Sequence, residues 1–185
     1  YDMGYQCAKY IADKVGDGAI IAVMDVPSSG SVCELRKEGF YAYMDEIGYD
    51  MTNVFEVPLE SFARDDGLTV MADVLEKNPQ IDAVFSMDDE TSIGSIQAIT
   101  EAGRTDIKAI TGGGGCQEYF NIIKEKADEI HACSALYSPL MIKDCLDVAL
   151  SVLGGETVDA VKVIPSQIVD ATNVDEYIDP SNTIY

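Results

Sequence analysis

The stretch Ala83–Val84–Phe85–Ser86–Met87–Asp88–Asp89–Glu90–Thr91–Ser92–Ile93–Gly94 decides the fold, because one secondary structure gives way to another inside it. Its front half completes Ile81–Ser86, a run apolar enough to be a strand covered on both faces. Its back half opens the amphipathic segment Glu90–Ala102, with Asp89 as the predicted N-cap and Gly103 as the stop. Outward in both directions the same order recurs. Upstream lie a helix over Tyr5–Val15, a strand over Ala19–Val26 and a helix over Ser31–Ile47 with Val32, Leu35, Tyr43 and Ile47 inward. A strand over Asn53–Val57 and a helix over Arg64–Lys77 follow. Downstream come a strand over Ile107–Thr111, a helix over Gln117–Ala127 and a strand over Ile130–Ala135. Strands alternating with helices in this way make a doubly wound, mostly parallel α/β sheet with helices on both faces.

The rhythm changes after that. Ser138 and Pro139 open a helix as N-cap and N1, running to Leu153 before Gly154–Gly155. Val161–Val169, broken by Pro165, reads as one or two short edge strands, and Thr172–Ile178 as a final capped turn. Around the helix, Lys143, Asp147 and Ser151 form one narrow polar stripe, and the rest is nearly all apolar. Such a helix is expected to be covered, by folding back on the sheet or by pairing with a second copy.

Of 185 residues, 47% are hydrophobic, enough for a packed core, and no stretch reaches the roughly 20 apolar residues of a membrane span. The chain starts at Tyr1 without a basic and apolar leader, so any signal peptide is expected upstream. Its 33 acidic residues against 12 basic ones, a net charge of −21, disfavour nucleic acid and anionic membranes as partners. Cys7, Cys33, Cys116, Cys133 and Cys145 have no metal-ligand spacing and read as free buried thiols.

In an open parallel sheet a ligand sits beyond the carboxyl ends of the strands. Five loops qualify: Pro27–Ser31, Pro58–Phe62, Met87–Asp89, Gly112–Cys116 and Leu136–Ser138. The glycines Gly112–Gly115 let a ligand approach backbone N–H groups at a helix N-terminus, or simply make a tight turn. They match neither a dinucleotide fingerprint nor a phosphate loop, so no cofactor is implied. Asp89 and Glu90 suit the start of a helix, which leaves Asp88 to face a ligand rather than to build a metal site. His131, the single histidine, shares no motif with a nucleophile. Phe62, an aromatic in a polar loop, offers a flat apolar face to a small molecule.

The segment from Ala83 to Gly94 resembles a signature of the sugar-binding type 1 periplasmic binding proteins. Gly30–Ser31–Val32–Cys33–Glu34–Leu35–Arg36–Lys37–Glu38–Gly39–Phe40 and the closing Ile168–Val169–Asp170–Ala171–Thr172–Asn173–Val174–Asp175 are similar to two further motifs of that family. The resemblance implies two lobes joined by crossing strands, with the ligand held between them and no catalysis. It divides this chain into a C-terminal lobe, 1–136, a helix and crossover belonging to an absent N-terminal lobe, 137–163, and a return segment, 164–185. Its expected ligand residues are Glu34, Phe62, Asp88, Gly113, Leu136 and Tyr137, with Arg36 in a supporting place. Glu34 and Asp88 stand where the family has an arginine and an asparagine, and the family's aspartate after the fourth strand falls within Gly112–Gly114, so the ligand is not expected to be ribose. The implied role is the extracytoplasmic or lipoprotein component of an ABC importer, handing a sugar or polyol to a membrane permease. The fold also serves effector-sensing domains of lac-repressor-type regulators and of membrane receptors. The Asn173–Val174–Asp175 close and the acidity disfavour the regulator.

Overall fold

The computed structural model describes residues 1–137 and 141–182, so Ser138 and Pro139, the predicted cap of the late helix, lie outside the described residues. Six strands, β1 (Ile21–Asp25), β2 (Val54–Pro58), β3 (Ala83–Phe85), β4 (Ala109–Gly113), β5 (His131–Leu136) and β6 (Gln167–Asp170), form one sheet in the order β2-β1-β3-β4-β5-β6. All neighbours run parallel except β6, which is antiparallel to β5. The doubly wound α/β reading therefore stands, with one reversed edge. That edge is shorter than expected: Pro165 keeps 161–166 out of the sheet, and the Ser166 N–H donates instead to Asp2 Oδ2 at 2.7 Å.

The helices are α1 (Asp2–Val15), α2 (Ser31–Glu46), α3 (Arg64–Lys77), α4 (Asp89–Glu101), α5 (Gln117–Glu125) and α6 (Met141–Leu153). Neighbouring side chains of β5 show that they cover both faces of the sheet. Ser134 reaches Asp89 at the start of α4, whereas the Cys133 thiol meets Cys7 of α1. Between the layers lie fully buried Ile21, Met24, Phe40, Met71, Phe85, Ile110 and Phe120, with the rings of Phe40 and Phe85 stacked at 4.5 Å. Each such side chain contributes about 1.5–3 kcal/mol by leaving water.

Two helix pairs pack through glycines in the same reciprocal way. A Cβ on Gly4 would strike the Arg36 carbonyl oxygen at 1.8 Å, and one on Gly39 that of Tyr1 at 1.9 Å. Between α3 and α4, a Cβ on Gly94 would meet the Arg64 oxygen at 2.0 Å, and one on Gly67 that of Thr91 at 2.3 Å. The first seam corrects the expected face of α2. Val32, Leu35 and Ile47 are exposed, and Cys33, Gly39, Phe40 and Met44 point inward, because Gly39 must lie against α1.

The late helix α6 differs from the rest. It has no buried residue, and Ile142, Leu146, Leu150, Val152 and Leu153 are all exposed. It does not fold back on the sheet, which corrects one of the two arrangements expected for it. Cys145, on this helix, is exposed rather than buried; the other four thiols are free and buried.

Candidate ligand-binding half-site

At the carboxyl edge of the sheet, three segments converge on one guanidinium of α2. Arg36, in the second turn of α2, donates from Nη1 to the Met87 carbonyl oxygen, just past β3, at 2.7 Å. Its Cζ lies 5.7 Å from the centre of the Phe62 ring and 5.4 Å from that of Tyr137. Arg36 thus spans the loop after β2, the end of β3 and the exit from β5. Each ring contact is worth about 0.5–1 kcal/mol where water reaches it. Phe62 is fixed in turn by α4, since the Thr91 hydroxyl donates to the Phe62 carbonyl oxygen at 2.9 Å.

Asp88 completes the group. It, and not Asp89, caps α4: Asp88 Oδ1 accepts the Glu90 N–H at 2.9 Å, a correction to the predicted cap. Burial raises the Asp88 carboxyl, while the Glu90 N–H and the charge of Arg36 pull it back. A half-buried carboxylate beside a guanidinium can both accept from and orient a hydroxyl-rich ligand.

Of the two readings of the glycine segment, the contacts around it are those of a packed turn. Gly113 is the last residue of β4, buried, and the Met3 methyl occupies the place of its missing side chain at 1.7 Å. Gly114 N–H bonds to the Ala135 oxygen, and the Gly115 and Cys116 N–H groups both donate to Asp89 Oδ2 at 2.8 Å. The amides at the start of α5 are therefore satisfied by an internal carboxylate, not held open for a ligand or an anion. Leu136 covers this segment, its Cδ1 2.5 Å from the point where a Cβ on Gly115 would lie.

Among the expected residues, Phe62, Asp88 and Tyr137 share this place, and Leu136 flanks it. Glu34 is exposed on the first turn of α2, about 200° around the helix from Arg36, and does not join the group. Arg36 was expected to be a supporting residue but is its centre. The signal available in the sequence was its spacing of one helical turn from buried Cys33 and Phe40. His131 is exposed at the opposite end of the sheet. Beneath the site, the Cys33 thiol donates to Asp25 Oδ1 at 2.9 Å, and burial followed by that hydrogen bond raises it, keeping it protonated. Among the described residues no cluster of His, Cys, Asp or Glu could hold a metal ion.

Among the described residues lie two hollows of about 440 Å³. One, between Ile96, Ile107, Lys108 and Ile130, lies at the amino ends of β4 and β5, away from the site. The other abuts it, between Leu136, Tyr137, Met141 and Gln167, where the chain leaves β5 for α6.

An open, mostly parallel sheet with Arg36, Phe62, Tyr137 and Asp88 gathered at its carboxyl edge is the architecture of one α/β lobe. The model of the periplasmic binding protein domain matches residues 1–157, and the chain belongs to that family. The chain is 32% identical over 155 residues to the ribose import binding protein of Bacillus subtilis, covering 84% of this chain and 48% of that protein. It is 27% identical over 187 residues to the fructose import binding protein of Bifidobacterium longum, covering 98% and 54%. Among solved structures, an ABC transporter solute binding protein from Mycobacterium smegmatis with bound glycerol aligns at TM-score 0.79 and 26% identity over 99% of this chain and 62% of that one. A periplasmic solute binding protein from Actinobacillus succinogenes with bound D-allose aligns at TM-score 0.80 and 20% identity, over 95% and 61%. The chain spans about half the length of the curated relatives it matches.

Proposed function

We propose that this chain supplies one wall of the cleft of an extracytoplasmic solute-binding protein, which traps a neutral sugar or polyol and delivers it to the permease of an ABC importer without catalysis. The observation that carries this reading is the rack formed by Phe62, Arg36 and Tyr137 beside Asp88. An aromatic face packs against the C–H face of a sugar ring, the guanidinium donates to hydroxyls, and the carboxylate accepts from them. A hydroxyl satisfies both partners, whereas the ionised group of a sugar acid or sugar phosphate cannot donate to Asp88 and meets a chain of net charge −21. The relatives named for ribose and fructose import support the same class.

In this reading residues 1–136 are one lobe, 137–163 cross to the other, and 164–185 return. The exposed apolar residues of α6 then belong against the rest of the protein, or against a second copy where the chain stands alone. The corresponding location is extracytoplasmic, in the periplasm or on the outer face of the cell membrane as a lipoprotein. A thermal-shift panel on the full-length protein tests the ligand class. Neutral sugars and polyols should give the largest stabilisation, and a larger shift from a sugar acid or sugar phosphate would overturn the reading.

A further inference from the structure

Asp89 is a buried acid that the half-site does not use. Its side chain is 1% exposed, yet it joins three elements. From α4, its Oδ2 accepts the Gly115 and Cys116 N–H groups at the start of α5, each at 2.8 Å, and the Ser134 hydroxyl of β5 at 2.9 Å. Its other oxygen, Oδ1, is buried without any hydrogen-bond partner, and so is the Tyr119 hydroxyl. Both residues crowd one point. A Cβ on Gly112 would meet Asp89 Oδ1 at 2.5 Å, Tyr119 Cε1 at 2.7 Å and Ser92 Oγ at 3.1 Å.

An ionised Oδ1 without a donor in a dry interior is costly, while Oδ2 already has three donors. We propose that Asp89 is a proton-binding site, taking up one proton on Oδ1 in mildly acidic solution, while Oδ2 keeps its clamp on α5 and β5. A protonated Oδ1 donates rather than accepts, and Ser92 Oγ shares the space over Gly112 with it. The glycine at 112 is what leaves room for these groups to meet.

The surroundings favour the neutral acid. Asp88 and Glu90 on α4, Cys116 and Tyr119 on α5, and Cys133 on β5 are all acids, thiols or a phenol. The nearby cations serve other carboxylates: the charge of Arg36 acts on Asp88, and Arg64 pairs with Glu90 at 2.9 Å. Burial, as the largest influence, raises the Asp89 carboxyl from its ordinary 3.8 to about 6, against the pull of its three donors. A carboxyl raised on folding gives stability that is complete below the unfolded value and lost as pH rises through the folded one. The window therefore runs from about 4 to about 6, and Asp89 alone should make the folding constant about tenfold larger at pH 5 than at pH 7.

Asp89→Asn tests this in the full-length protein, because an amide keeps an acceptor at Oδ2 and places a donor at Oδ1. Urea denaturation followed by circular dichroism at pH 7 and pH 5 gives the folding constants. The variant should be at least as stable as the parent at pH 7 and should lose about a tenfold share of the parent's gain at pH 5. A variant that weakens equally at both pH values, or keeps the parent's full gain, would overturn the proposal; the clamp would then be a plain ionised cap. Infrared spectroscopy covers the case in which this variant does not fold. In Asp88→Asn, a protonated carboxylic acid band that appears between pH 7 and pH 5 should persist, and its absence at both pH values would overturn the proposal.

Discussion

Replacing Gly94 with alanine puts the packing account at risk, because its sign runs against ordinary helix chemistry. In an exposed helix interior, glycine to alanine is worth about 1 kcal/mol of added stability. Gly94 sits within α4 where a Cβ would lie 2.0 Å from the Arg64 carbonyl oxygen, a backbone atom that no rotamer change can move. Restoring a contact of 3.4 Å requires α3 and α4 to part by about 1.4 Å, which loosens Met71, Val74 and Leu75 on α3. Overpacking costs about 1–3 kcal/mol, and a clash with backbone belongs at the upper end, so the net loss should be about 1–2 kcal/mol after the propensity gain. Parting the helices also strains the Thr91–Phe62 hydrogen bond, so ligand affinity should fall with stability. Gly67→Ala opens the same seam from the other helix, and the double variant should lose less than the sum of the two. Urea denaturation of the three variants gives these numbers. A neutral or more stable Gly94→Ala would refute the close approach of α3 and α4.

Phe62→Ala should weaken binding of the cognate sugar by about 1–3 kcal/mol through lost ring contact, as read by calorimetry, and unchanged affinity would remove the ring from the site. Arg36→Met keeps much of the stem and removes the charge. It should lower that affinity at least about tenfold and cost about 1–2 kcal/mol of stability from the two ring contacts. Far from the cleft, Arg104 holds the Asp106 carboxyl down to about 2, which contributes stability present above the ordinary carboxylate range and lost as pH falls through about 2. An acid titration by circular dichroism should therefore show Arg104→Met losing stability at pH 5 while falling off less steeply below pH 4.

The sequence carried the fold because apolar runs and caps are local signals. Ala83–Gly94 holds the end of a strand and the start of a helix within twelve residues, and only the capping residue shifted, from Asp89 to Asp88. The inward face of α2 was not legible, because it depends on Gly39 meeting the Tyr1 backbone from a distant helix. Periodicity counted Val32 and Leu35 as core because their apolar character says nothing about which side α1 occupies. The same limit governed the site. Phe62 and Tyr137 are visible as loop aromatics, but a single guanidinium between them is a three-dimensional fact. The four glycines suggested open amides, and the Asp89 carboxylate that fills them comes from another helix.

The most direct measurement is a crystal structure of the full-length protein with the sugar or polyol that gives the largest thermal shift. The account predicts that ligand between two lobes, its ring on Phe62 and its hydroxyls within hydrogen-bond distance of the Arg36 guanidinium and Asp88. A ligand bound away from the carboxyl edge of this sheet, or held there without contact to Phe62, Arg36 or Asp88, would contradict it.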